Sequence, residues 1–431
     1  MGDRIELPAS STPDVAVVVL ATRDAVRLER CLRAIADSDL GGRASQVVLC
    51  VNAADPDVVA LVEATKGAVV MRSQVNLGTA ATWNRAIEHL DAPRVATVHE
   101  DAFVDPNALA LLADALDADP IAAIAGGHLS YPDGRVQTRG WIHWRAGTPW
   151  PISPQLAPGL ELPARVTPVD AVSSAMMLVD GKFLSARGGF DEGTFPAVTT
   201  EFDLCASAWA AGRTVVVVDD ARAVHETGAM VARHGGWRAS TPFREFLIAR
   251  NCARYDERWA SLLAGRPPAP ASAPDTEAMR ASLARVVAAA REPVRSPHPS
   301  PPVERLVTGD ASPELDAPPE VEARATALMR ERLEEFADWM VIERDRLLEH
   351  EADISEWHRQ TMEAITDERA RHAELVDEFR NVMEVLTDDR ALHAELLDEL
   401  AARDRTLTWR LRARALRIPG VARARARRRT G

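Results

Sequence analysis

The chain has 431 residues, more than one compact domain ordinarily holds, and 46% of them are hydrophobic, enough to fill at least one large core. A net charge of −13 excludes a molecule built as a whole to coat nucleic acid. Four scattered cysteines, Cys31, Cys50, Cys205 and Cys252, form no C-x-x-C pair; they exclude a disulfide framework and predict free thiols in a reducing cytoplasm.

Residues 1–11 read as a disordered N-terminus. They contain no apolar h-region, so no signal peptide is expected. The first aliphatic run, residues 15–21, is a strand's length and far short of a membrane span. Strands are predicted at 15–20, 46–51, 68–72 and 94–98. Helices are predicted at 27–36, 56–65 and about 79–90, the first with Leu28, Leu32 and Ile35 on one face. Strand–helix alternation of this kind predicts an α/β domain, a largely parallel sheet covered on both faces. Such sheets bind ligands beyond the carboxyl ends of their strands. Residues 21–24, 52–55, 76–78 and 99–101 would then share one rim. The fourth strand ends in TVHEDAFVDP (97–106), which places an imidazole and two carboxylates there.

Residues 263–319 include RPPAPASAP and PVRSPHPSPP and read as a Pro-rich linker holding one short helix at 275–291. Residues 320–408 are charged and nearly free of Pro and Gly. TDERARHAELVDEF at 366–379 returns as TDDRALHAELLDEL at 387–400, three heptads later. Ile365, Leu375, Phe379, Val382, Leu386, Leu396, Leu400 and Leu407 follow a 3-4 spacing, the seam of a coiled coil that predicts a homo-oligomer; a single solvated helix is the alternative. His372, Asp389, His393 and Arg403 interrupt that seam. The tail, 409–431, has nine arginines and no acidic residue, with Trp409, Leu411, Leu416, Ile418 and Val421 between them. This composition suits peripheral contact with an anionic membrane.

Several motifs, in order, carry a family resemblance over about 12–262. VAVVVLATRDAVRLERCLRAI forms the first strand and helix, with Arg23 where many members have Asn. QVNLGTAATWN (74–84) supplies Asn76, Gly78 and Asn84. VHEDAFVDP stands at a D-x-D signature and SYPDGRVQTRG (130–140) at a Y-P-D-G hairpin. VSSAMMLVDGKFLSARGGFDEGTF (172–195) contains a G-G-F-D-E turn. TTEFDLCASAWAAGRTVVVVDDARAVHETG (199–228) and REFLIARNCARY complete the series. Together they resemble the family 2 glycosyltransferases, in particular rhamnosyltransferase-like members. The resemblance implies a GT-A-like doubly wound mixed sheet. It also implies inverting transfer of a hexosyl or deoxyhexosyl group from a nucleotide-sugar donor to a glycan or lipid-linked acceptor.

On that resemblance Asp101 and His225 are the expected metal ligands for Mn²⁺ or Mg²⁺. His99, in place of the first Asp, is a third, and it favours Mn²⁺ or softer ions over Mg²⁺. Glu201 aligns with the base that deprotonates the acceptor hydroxyl, and Asp203 with the acid that follows it. Thr200 replaces the first acid of the motif. The same acids could merely complement a helix dipole. Thr22, Asn52, Asp55, Asn76, Gly78, Asn84 and Glu100 are expected around the nucleotide sugar; Asp55 could instead cap the helix that begins at Pro56. Trp141 and Trp144, with Trp150 nearby, offer aromatic faces for an acceptor or for packing. Arg233, His234, Gly235, Gly236, Trp237 and Arg238 form a basic loop suited to closing over a diphosphate. No nucleic-acid partner is expected. The setting implied is bacterial glycan assembly in the cytoplasm, at the inner face of the membrane where the tail engages it. Two other classes fit parts of the pattern: a coiled-coil scaffold with a degenerate transferase domain, and a nucleotidyltransferase sharing the sheet.

Overall fold

A computed structural model describes residues 4–90, 92–226, 241–292, 302–303, 305, 316–349, 366, 370 and 373–374. The chain divides into two units, Met1–Phe336 and Ala337–Gly431.

The first unit is built on one mixed sheet. Its parallel half contains β1 (Val15–Ala21), β2 (Ser45–Asn52), β3 (Val69–Ser73) and β4 (Arg94–His99). Helices α1 (Ala25–Ala36), α2 (Pro56–Ala64) and α3 (Thr79–Glu88) join them. After β5 (Ala102–Val104) and α4 (Ala108–Ala118) come β6 (Ala122–Ser130) and β7 (Val136–Thr138). A small ribbon, β8 (Trp141–Ile142) with β9 (Trp150–Pro151), precedes β10 (Val166–Pro168) and β11 (Met176–Asp180). Helices α5 (Gly181–Arg187) and α6 (Thr200–Ala210) lead into β12 (Thr214–His225). The spatial order is β10-β12-β6-β11-β4-β1-β2-β3, with β5 added to β12 and β7 to β6. This arrangement fits the GT-A fold.

The reason lies in the runs of Val and Ala. β1 is VAVVVLA and almost wholly buried, as a strand covered on both faces must be. Its alternate residues serve opposite layers: Val17 and Val19 join one core with Leu28, Leu32 and Ile35, and Val18 joins the other with Trp83 and Met177. Asp24 caps α1 by accepting from the Arg27 amide at 3.0 Å.

Three expectations are corrected. Residues 4–11 are not loose, because Ile5 and Leu7 are buried and the Leu7 amide donates to the Lys66 carbonyl at 2.9 Å. The helix expected inside the linker, α9 (Thr276–Ala289), is a core element. Its Met279, Leu283 and Val286 join the Trp83 layer, so this stretch does more than connect. The long helix α10 (Pro319–Glu349) begins as part of the first unit, since Val321 and Ala325 cover Leu77 and Ala81. Helices α7 (Thr241–Arg258) and α8 (Ala260–Leu263) lie between. Most of the heptad repeat, the basic tail and the 233–238 loop lie outside the described residues. No helix among the described residues is long and apolar enough to cross a membrane.

Candidate active site

Three strand ends build the centre. β4 stops at His99, the chain turns through Glu100 and Asp101, and β5 then pairs antiparallel with the end of β12, setting Ala102 opposite His225. The Glu226 amide donates to the Asp101 carbonyl at 2.9 Å. The Glu226 carboxylate takes Arg27 at 2.8 Å and Arg30 at 2.6 Å from α1, which fastens the end of β12. Ligand atoms of His99, Asp101 and His225 all lie within 4.8 Å of one another. His225 Nε2 is 3.2 Å from Asp101 Oδ1, and its Nδ1 is 2.8 Å from Gln137 Oε1 on β7. An amide oxygen can only accept, so Nδ1 donates to Gln137, and Nε2 is the ring nitrogen turned to Asp101. Burial, and then the neighbouring His225, push His99 down to about 4, so its ring stays neutral. Burial raises the Asp101 carboxyl, but the hydrogen bond and charge of His225 outweigh it and hold it below the usual range.

The donor-side residues form two groups beside this centre. Glu100 is buried and grips the end of β1: the Thr22 amide donates at 2.7 Å and the Thr22 hydroxyl at 2.5 Å. Burial pushes Glu100 up to about 7 against those bonds. Asn52 accepts the Leu77 amide at 2.9 Å and donates to Asn76 at 3.0 Å, while Asn76 accepts the Gly78 amide at 2.9 Å. Asn52 and Asn76 therefore shape the loop at the start of α3. Gly78 has φ +82°, and a Cβ there would meet the Pro196 carbonyl oxygen at 2.8 Å. Asp55 occupies the N-cap position of α2, just ahead of Pro56, but its side chain makes no capping bond.

Asn84 stands elsewhere. It is buried and accepts the Phe190 amide at 2.8 Å while donating to the Phe190 carbonyl at 2.8 Å. It also donates to Glu192. Its amide pins the G-G-F-D-E turn and has no face left for a nucleotide.

That turn leads to the acceptor side. Val198 (φ 59°) and Thr199 (φ 70°) hold left-handed backbone, which costs a non-glycine residue about 1–3 kcal/mol each. The fully buried Asn251 of α7 compensates by donating to the carbonyls of Ala197 and Val198, both at 2.9 Å. The bend opens α6 with Glu201 in its first turn. Glu201 is half-buried, and burial raises its carboxyl. Asp203 is different: it is 1% exposed and holds Arg187, Arg258 at 3.2 Å and the Trp259 indole N–H at 2.9 Å. Three fixed donors make it a structural anchor, so the catalytic expectation for Asp203 is withdrawn. Trp144 is 1% exposed and stacks edge-on with Trp150 at 5.4 Å, which makes it packing and not an acceptor platform. Trp141 is half-buried and meets Phe202, the neighbour of Glu201, at 5.1 Å. Trp83 spans the two sides, 6.1 Å from His99 and 5.1 Å from Phe190.

Residues 16–169 match the family model of glycosyl transferase family 2. Over this span the chain is similar to the family 2 glycosyltransferases. Solved structures similar to the chain include three transferase complexes. GalNAc-T7 with UDP, GalNAc and Mn²⁺ is 16% identical, with TM-score 0.44; the match covers 58% of this chain and 48% of that one, about half its length. The mannosyltransferase PcManGT from Pyrobaculum calidifontis, with GDP-Man and Mn²⁺, is 15% identical, with TM-score 0.41 and coverage of 80% and 84%. S. aureus TarS 1-349 with UDP-GlcNAc is 14% identical, with TM-score 0.39 and coverage of 59% and 72%. No curated protein matches the chain. Sequence reasoning gave no role to Gln137, and it marked Asn251 only as part of the REFLIARNCARY motif. Both were visible only as letters in quoted motifs, and their roles depend on partners 88 and 53–54 residues away.

Proposed function

We propose that the protein is an inverting, metal-dependent glycosyltransferase that moves a sugar from a nucleotide-sugar donor to a hydroxyl of a glycan or lipid-linked acceptor. The observation that carries this reading is the convergence of His99, Asp101 and His225 within 4.8 Å at the strand ends of a family 2 domain. One carboxylate oxygen and two imidazole nitrogens suit a borderline divalent ion, Mn²⁺ before Mg²⁺. When bound, such an ion offsets the negative charge that grows on a departing diphosphate.

The chain's own residues do the rest. Gln137 holds His225 in the ligating tautomer. Thr22, Glu100 and Asp55 face the nucleotide side of the rim. Glu201 takes the proton of the acceptor hydroxyl, with its raised carboxyl closer to the working pH than an ordinary glutamate. Its position in the first turn of α6 and the absence of a side-chain partner among the described residues support that role. Trp141, beside Phe202, offers the acceptor an aromatic face. Attack on the sugar carbon by the acceptor oxygen forms one bond as the bond to the diphosphate breaks, with no covalent enzyme intermediate. The heptad repeat makes the enzyme a homo-oligomer, and the basic tail holds it at the cytoplasmic face of a membrane.

The test is a panel of UDP-, GDP- and dTDP-sugars titrated with and without Mn²⁺. At least one donor is expected to bind only with the metal, and Asp101→Ala to abolish that dependence. Binding unchanged in Asp101→Ala, or no metal-dependent donor at all, would sink the proposal.

A further inference from the structure

Two arginines from outside the glycosyltransferase domain close on the turn that precedes Glu201. Arg305 donates to the Gly188 carbonyl at 2.7 Å, pairs with the buried Glu192 at 2.9 Å, and also meets Glu88. Arg332, on α10, is 7% exposed and donates to the Gly193 carbonyl at 2.7 Å. Its second nitrogen holds Glu335 at 2.9 Å. Glu335 pairs with Arg250, whose guanidinium donates to the Thr194 carbonyl at 3.0 Å and to Asn251 at 2.8 Å. Asn251 in turn carries the left-handed bend at Val198 and Thr199. A continuous set of charged and hydrogen-bonded side chains thus runs from α10 to the backbone beneath Glu201.

The sheet does not require these contacts. Buried guanidinium groups are costly unless paired, and here each of the three arginines divides its donors between a carboxylate and a backbone carbonyl of the 188–194 turn. A helix that served only as a tether would need neither Arg332 nor Glu335 at this place.

We propose that Arg332, Glu335 and Arg305 are positioning residues for sugar transfer, acting through Asn251 and the 188–199 turn to set Glu201 against the acceptor. The start of α10 is then a working part of the catalytic centre. This rests on the reading of Glu201 as the base. The metal cluster lies on other elements and is not held by this set.

The full-length protein carrying Arg332→Met tests the idea, with Arg332→Lys as the conservative partner, since lysine can still donate to the Gly193 carbonyl. Three quantities are measured: Mn²⁺ affinity, turnover of whichever nucleotide sugar the wild type hydrolyses fastest, and amide hydrogen exchange across residues 193–203. Arg332→Met is expected to lower kcat about 10- to 100-fold, with donor KM and Mn²⁺ affinity unchanged and with faster exchange confined to the turn. Arg332→Lys should recover most of both losses. Unchanged exchange in Arg332→Met overturns the proposal, and so does faster exchange with kcat intact. A wild type that neither binds nor turns over any nucleotide sugar with Mn²⁺ removes the transferase reading instead. The exchange result then decides alone whether Arg332 holds the turn.

Discussion

At the scale of single residues, the two acids of α6 divide their work by environment. Glu201 and Asp203 are one turn's neighbours in sequence, yet Asp203 is enclosed by two arginines and an indole, and Glu201 has no such partners among the described residues. Changing Glu201 to Gln should therefore lower kcat by about 10²–10⁴-fold while leaving metal-dependent donor binding intact, as equilibrium titration would show. The pH profile follows from the direction of the shift. A base must be unprotonated to act, and burial raises the Glu201 carboxyl, so wild-type kcat should climb with pH through a midpoint above the ordinary glutamate range. A profile flat across that interval would remove Glu201 from the role. Asp203→Ala should act on stability instead. It strands Arg187 and Arg258 in a buried place and should cost about 3–5 kcal/mol, read as a lower midpoint in urea unfolding.

At the scale of elements, the strand–helix alternation was legible because period and composition change together. Runs such as Val15–Ala21 and Ser45–Asn52 fall within a residue or two of their expected limits. The convergence of Asp101 and His225 was legible too, because each stands in a recognisable motif. What sequence could not reveal was whether a polar side chain is already used. Asn84 and Asn76 look alike in QVNLGTAATWN, but Asn84 faces inward on α3 and is consumed by Phe190 and Glu192. Trp141 and Trp144 sit three residues apart, and a single ribbon turns one toward Phe202 and the other into the core. Pro-rich flanks also disguised α9, whose Met279, Leu283 and Val286 have helical spacing but lie in a segment whose composition suggests no core. Such distinctions depend on long-range contacts, and composition and period are local.

At the scale of the whole molecule, the boundary between the two units falls within one helix. Residues 319–336 of α10 belong to the first unit, and the helix continues to Glu349 in the second. A chain ended after residue 336 should keep the melting temperature of its first unit. One ended after residue 292 exposes Leu77 and Ala81 and loses Val321 and Ala325 from their cover. That burial amounts to about 2–4 kcal/mol, so the shorter chain should melt several degrees lower in calorimetry. Equal melting of the two truncated chains would mean that this cover contributes nothing.

The position of His225 has one more consequence. It is the final residue of the last strand of the sheet, and its companion Asp101 was made more than a hundred residues earlier. A nascent or half-assembled chain would have the aspartate without the imidazole that completes the set. On the proposed metal site, a divalent ion would be captured only by molecules whose sheet had already closed, so its uptake would follow folding and not seed it.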